Sequence, residues 1–319
     1  MLLQQRIVYF FLSLFICIAH VSAKSAVTYT FSGGRLGDNL LAYCHAKWIA
    51  YKYDIPLLYR AFPYSDQLMM HEKEILLTQE EYAKYDAIID ISKVYPYLFE
   101  PEKNILYVIP YFPESIIERE KNPRFFYYFP VDWDDYAFKA ELCTMISPRF
   151  PLTITKKPKD CLTIALHVRI GTGFDIASLK DYPNQTAENI SQLKFPPLTY
   201  YIQQLKRIAE YYPNELLHVR MFTDHNNPAE LADFFKENVQ CPRMGFAYRN
   251  DDNRHDLNVL EDFFSITQFD CLIRPDANFS TVASKLGHYK IQISPWHCIV
   301  HENQYHIDEI LMNNVILKN

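Results

Sequence analysis

The chain has 319 residues, of which 49% are hydrophobic and 22% charged, and carries a formal net charge of −6. This composition excludes an intrinsically disordered chain, and the acidic balance excludes a broad basic surface for nucleic acid. Glycine occurs only seven times, about a third of average usage, so its positions carry information. Tyr and Phe are abundant and read mainly as core fillers.

At the N-terminus Arg6 precedes an apolar stretch from Ile7 to Val21, followed by Val21-Ser22-Ala23 ahead of Lys24. Residues 1–23 read as a cleavable secretory signal. The stretch is shorter than the ~20 residues of a membrane-spanning helix. An uncleaved anchor is the alternative, and only that would place the chain on a membrane. The expected location is the lumen of the secretory pathway (Golgi or ER) in a eukaryote, or an exported, periplasmic one in a bacterium. Beyond the signal lie Cys44, Cys143, Cys161, Cys241, Cys271 and Cys298. They have no CxxC or CxxH spacing, which argues against a zinc site, and both disulfides and free thiols stay open. Sequons at Asn184 and Asn189 lie in a polar, loop-like stretch and read as glycan acceptors in a eukaryotic host, whereas the one at Asn278 reads as buried at a site.

In chain order, strands are expected at 27–31, 55–59, 87–91 and 105–109, with helices at 39–53 and 136–150. Pro148, Pro151 and Pro158, with Lys156, Lys157 and Lys159, mark a linker. Beyond it, strands are expected at 162–168, 216–223, 271–273 and 290–293. Helices are expected at 197–212, 257–268 and 281–287, and another starts at the Asn227-Pro228-Ala229-Glu230 cap. Near-continuous apolar strands alternating with helices predict an α/β chain with mainly parallel sheets. Two Rossmann-like halves are expected, 24–150 and 151–319, facing a cleft. Ligands of such sheets bind at the carboxyl ends of the strands.

Two of those strand ends hold five of the seven glycines. Ser32-Gly33-Gly34-Arg35-Leu36-Gly37-Asp38-Asn39 joins the first strand to a helix, where backbone amides and the helix start can face an anion. It is neither a GxGxxG fingerprint nor a P-loop. His167-Val168-Arg169-Ile170-Gly171-Thr172-Gly173 ends a buried strand. Alternation places His167 and Arg169 on one face, and arginine grips phosphate with two parallel bonds. A third region runs from Glu261-Asp262-Phe263-Phe264 to Asp276-Ala277-Asn278-Phe279-Ser280.

Together these residues resemble the fucosyltransferase superfamily, most of all the alpha-1,2-fucosyltransferase family. GGRLGDNL is similar to its G-G-x-L-G-N-Q loop and HVRIG to its H-x-R-R-G-D motif. Phe222-Thr223-Asp224 is similar to F-S-D, and Asp262 to Ser280 keeps the D-x(17)-S spacing. The four short motifs keep the family's order over about residues 30–290. The resemblance implies a GT-B-like architecture and an inverting, metal-independent glycosyltransferase that moves fucose from GDP-fucose to a glycan acceptor. No cofactor is implied beyond that donor. Arg169 would be the catalytic residue, binding the diphosphate and stabilising the leaving group. His167 and Asp262 would contact the guanosine, while Asn278, Phe279 and Ser280 would face the phosphates. Gly33, Gly34 and Gly37 would close the site from the acceptor side. The chain departs from the family at Ile170, where a second arginine is implied, at Thr172, where an aspartate is, and at Asp38-Asn39. Two alternatives stand beside this reading: a non-catalytic secreted homologue that binds nucleotide or glycan, and a transferase of another nucleotide sugar.

Overall fold

The computed structural model describes residues 24–91, 99–110, 131–170, 193–250, 256–302 and 304–319. The signal expected at 1–23, Gly171, Thr172, Gly173, and the acceptors Asn184 and Asn189 lie outside them. No described helix is long and apolar enough to cross a membrane.

The first half begins with β1 (Ala26–Tyr29), the glycine loop and the long helix α1 (Leu36–Tyr53). Then come β2 (Leu58–Tyr59), the short helix α2 (Met70–Lys73), β3 (Ile75–Leu76), helix α3 (Gln79–Tyr82), β4 (Ala87–Asp90), β5 (Ile105–Ile109) and helix α4 (Tyr136–Met145). Strands β1, β5 and β4 form a parallel sheet in the order β1-β5-β4, and β2 pairs in parallel with β3. A single parallel bridge from Val27 to Leu57 extends the layer toward β2. Helix α4 stops five residues short of the expected 150. Ile146 caps it and Pro148 follows, a residue that cannot supply a helical N–H.

The second half contains β6 (Leu162–Val168), α5 (Leu198–Tyr211), β7 (Leu217–Thr223), α6 (Pro228–Val239), β8 (Met244–Ala247), α7 (Val259–Ile266), β9 (Cys271–Ile273) and α8 (Asn278–Leu286). Helix α6 starts as its sequence dictates: the Asn227 side chain accepts from the Glu230 N–H, with Pro228 in the first turn. The chain closes with β10 (Ile291–His301), β11 (Gln304–Met312) and β12 (Val315–Lys318). The sheet order is β12-β11-β10-β9-β6-β7-β8, parallel from β8 to β10 and antiparallel beyond. The strand order therefore reverses between β6 and β9, the kind of switch point at which open α/β sheets bind ligands.

The halves share one core. Val27, Leu40, Ala46 and Ile49 of the first cluster with Ala165, Phe222, Phe263, Leu272 and Val282 of the second. On the opposite face of the large sheet, Leu166, Val168, Ile170 and Ile273 pack in a separate cluster with α5 and α6. This alternation turns His167 and Arg169 to the face that Ala165 shows toward the first half. All six described cysteines are free thiols.

Candidate functional site

Arg169 follows the carboxyl end of β6. Its guanidinium lies over the Phe195 ring, 5.0 Å from the centroid, and makes no hydrogen bond or ion pair among the described residues. Burial pushes its pKa down, Asp224 opposes this, and the charges of Arg35 and Asp38 also reach it from the first loop. The backbone beyond it is pinned, because the Ile170 N–H donates to Asp224 Oδ1 at 2.8 Å. Asp224 is the last residue of the Phe222-Thr223-Asp224 segment, so that motif holds the arginine-bearing turn in place.

His167 shares this face. Its Nδ1 is buried without a hydrogen-bond partner among the described residues, and its ring centroid lies 5.7 Å from that of Phe279. Burial, reinforced by Arg169 and Arg274 and opposed by Asp224, holds its pKa at about 3. The imidazole is therefore neutral at pH 7, a ring that can donate from one nitrogen and accept at the other.

Asp262 is on α7. Its carboxylate accepts from Arg249 Nη2 at 2.6 Å. Burial raises its pKa to about 6 against the pull of Arg249 and Arg220. Arg220, on β7, anchors itself by donating to the Tyr248 carbonyl at 2.9 Å. Asp262 joins the rest of the site through rings: its neighbour Phe263 meets Phe279 edge-on at 5.5 Å.

In the first loop the three glycines serve different ends. Gly33 has φ +84° and open space around its missing side chain, so there the glycine is conformational. A Cβ on Gly34 would run into the Asp38 side chain. A Cβ on Gly37 would collide with the Phe279 backbone and lie 2.6 Å from the Asn278 carbonyl carbon. Gly37 thus lets the start of α1 abut the start of α8, with backbone against backbone. Asp38 clasps the joint, accepting from Asn278 Nδ2 at 2.9 Å and from the Arg35 N–H at 3.1 Å.

Helix α8 begins three residues earlier than the sequence suggested, at Asn278. Ser280 is fully buried and its hydroxyl donates to the Ala277 carbonyl at 3.2 Å. The hydroxyl satisfies the start of its own helix, and Phe279 contributes a ring to the junction.

Three cations of the site escaped the sequence reading. Arg220 and Arg249 surround Asp262. Arg274, buried just after β9, donates to the Pro275 carbonyl at 3.1 Å and to Thr281 Oγ1 at 2.9 Å. A charged residue at the end of the apolar run Cys271–Ile273, beside the switch point, was the available signal for Arg274. Among the described residues no cluster of three or more His, Cys, Asp or Glu is arranged to hold a metal ion.

Parallel sheets meeting across a shared face, with the open arginine at a switch point, define an α/β chain of GT-B architecture. No protein-family model matches the sequence, and no curated protein matches it. Solved structures do match. A mutant of Arabidopsis thaliana FUT1 in complex with GDP superimposes with a TM-score of 0.51 at 13% identity, covering 90% of this chain and 73% of that one. POFUT1 in complex with GDP-fucose gives 0.43 at 12% identity, over 85% and 97%. The alpha-1,6-fucosyltransferase NodZ soaked with GDP-fucose gives 0.43 at 13% identity, over 93% and 99%. The fold is thus that of fucosyltransferase structures, as the FUT1 superposition shows.

Proposed function

We propose that this chain is a glycosyltransferase that takes fucose from GDP-fucose and passes it to a glycan acceptor. In this reading it is inverting, metal-independent, and nearest in kind to alpha-1,2-fucosyltransferases. Residues 24–150 form the acceptor side and 151–319 the nucleotide-sugar side, and the chain works in the secretory lumen or an exported compartment. The carrying observation is Arg169: a partly buried guanidinium at a switch point with no hydrogen bond or ion pair among the described residues. The carboxylates Asp224 and Asp38 attract the guanidinium but leave its donors unbonded, and a diphosphate is an anion that an arginine fork fits. As the glycosidic bond to phosphate breaks, negative charge builds on the leaving oxygen, and a preorganised cation stabilises it. Metal independence rests on this fixed charge doing what magnesium does elsewhere. Neutral His167 and Asp262 supply polar edges for the nucleoside.

One observation favours a second reading, a donor with another base: Asp262 is already clasped by Arg249. One screen separates the two. The purified chain is assayed for hydrolysis and transfer with GDP-fucose against other GDP- and UDP-sugars, with and without EDTA. The proposal expects turnover of GDP-fucose that survives EDTA. Turnover of a UDP-sugar alone selects the second reading, and a strict divalent-metal requirement overturns the arginine-based mechanism.

A further inference from the structure

The resemblance implies two adjacent arginines at the phosphate site, but Ile170 stands in the second position. It is fully buried in the apolar cluster on the far face of the sheet, so no charge reaches the site from there. We propose that Lys194 supplies the missing second cation, gripping the outer phosphate of a nucleoside diphosphate. This rests on the donor reading above.

Lys194 sits between two anchored neighbours, one on each side of the switch point. The carbonyl of Leu193 accepts the Asp276 N–H at 2.7 Å, which ties the segment to the loop after β9. Phe195 is buried beneath the Arg169 guanidinium after β6. The intervening lysine is thereby held within reach of the Arg169 charge. Its side chain is partly buried and makes no hydrogen bond or ion pair among the described residues. Its charged surroundings are Arg169 and Arg35, which repel it, and Asp38 and Asp276, which attract it. Burial and the two guanidiniums push its pKa down. An ammonium in that position is stabilised by an arriving anion.

The charges also give the site a direction. Asp262 interacts with Arg249, Arg220 and Glu261. His167 interacts with Arg169, Asp224 and Arg274. Lys194 interacts with Arg169, Arg35, Asp38 and Asp276. Arg169 is the one charge common to the His167 and Lys194 sets, so it stands between His167 and Lys194. A nucleoside held toward His167, as in the donor reading above, places its first phosphate near Arg169 and its second near Lys194.

The test is titration calorimetry of the full chain and of Lys194→Met with GDP and with GMP, at fixed ionic strength. Loss of one charge-assisted phosphate contact weakens GDP binding about 10- to 100-fold, while GMP affinity changes by less than about twofold. Lys194→Arg restores most of the GDP affinity, which a merely structural lysine would not require. Lys194→Gln serves if the methionine variant does not fold. Unchanged GDP affinity, or equal losses for GDP and GMP, overturns this inference alone. No GDP binding by the unaltered chain overturns the donor reading and this inference with it.

Discussion

Residues 32–39 follow β1 and residues 167–170 close β6, and in sequence the two stretches look alike: an apolar run, an arginine and glycines, which in the second are Gly171 and Gly173. In the first, polar groups are consumed internally. Asp38 takes the Asn278 amide and the Arg35 N–H, Ser32 Oγ accepts from Gly34, and Gly37 makes room for the backbone of α8. In the second, the Arg169 guanidinium and His167 Nδ1 find no hydrogen bond among the described residues. The first loop is a joint between the halves, and in the donor reading proposed above the second is a socket. Glycine therefore has to be read by what its missing Cβ would touch: a glycine packed on backbone marks assembly.

The most direct way to break this contrast is Gly37→Ala. Helix propensity alone favours alanine by about 1 kcal/mol. The collision with the Phe279 backbone reverses the sign, and we expect a net loss of about 3 kcal/mol, the upper end of overpacking costs. Urea unfolding measures it, and a variant as stable as the parent would show that the joint is not tight.

A smaller effect sharpens the contrast at the socket. The folded pKa of His167, about 3, lies below the ordinary 6.5, so the unfolded chain takes up the proton first. Stability from this group rises with pH between about 3 and 6.5 and levels off above. Asp262 runs the other way. Its folded pKa of about 6 exceeds the ordinary 3.8, so its contribution falls as pH rises through that interval. His167→Gln removes only the rising part. We expect the parent to gain about 2 kcal/mol relative to this variant between pH 4 and 7, with solvent screening of the partly exposed ring already discounted. Parallel stability profiles would mean that His167 titrates at its ordinary pKa in the folded chain.

Much of the fold was legible because apolar runs and caps are local signals. Strands 105–109, 162–168 and 271–273 coincide with β5, β6 and β9, and the Asn227-Pro228 cap opens α6. The C-terminal hairpins were not read, although Asn313 and Asn314 both adopt positive φ, as a tight hairpin turn between β11 and β12 requires. The site was legible in its residue types and less so in their use. Arg169 and His167 follow from strand alternation. That Gly37 meets Phe279, and that Arg249 clasps Asp262, are contacts across long stretches of chain which no local pattern records. Lys194 carries no motif and gains meaning only where Phe195 and Asp276 bring it to Arg169.

Arg169 tests the central claim most directly, because a socket residue contributes binding and little stability. Arg169→Ala removes the ring contact with Phe195, worth about 0.5–1 kcal/mol, and also a charge that is costly to bury. We therefore expect its thermal midpoint to stay within about 2 °C of the parent. Calorimetry with GDP is expected to show affinity reduced by about 2–4 kcal/mol, roughly 30- to 1,000-fold, with Arg169→Lys recovering only part of it. Equal GDP affinity in parent and Arg169→Ala, or a variant that unfolds, would contradict the account.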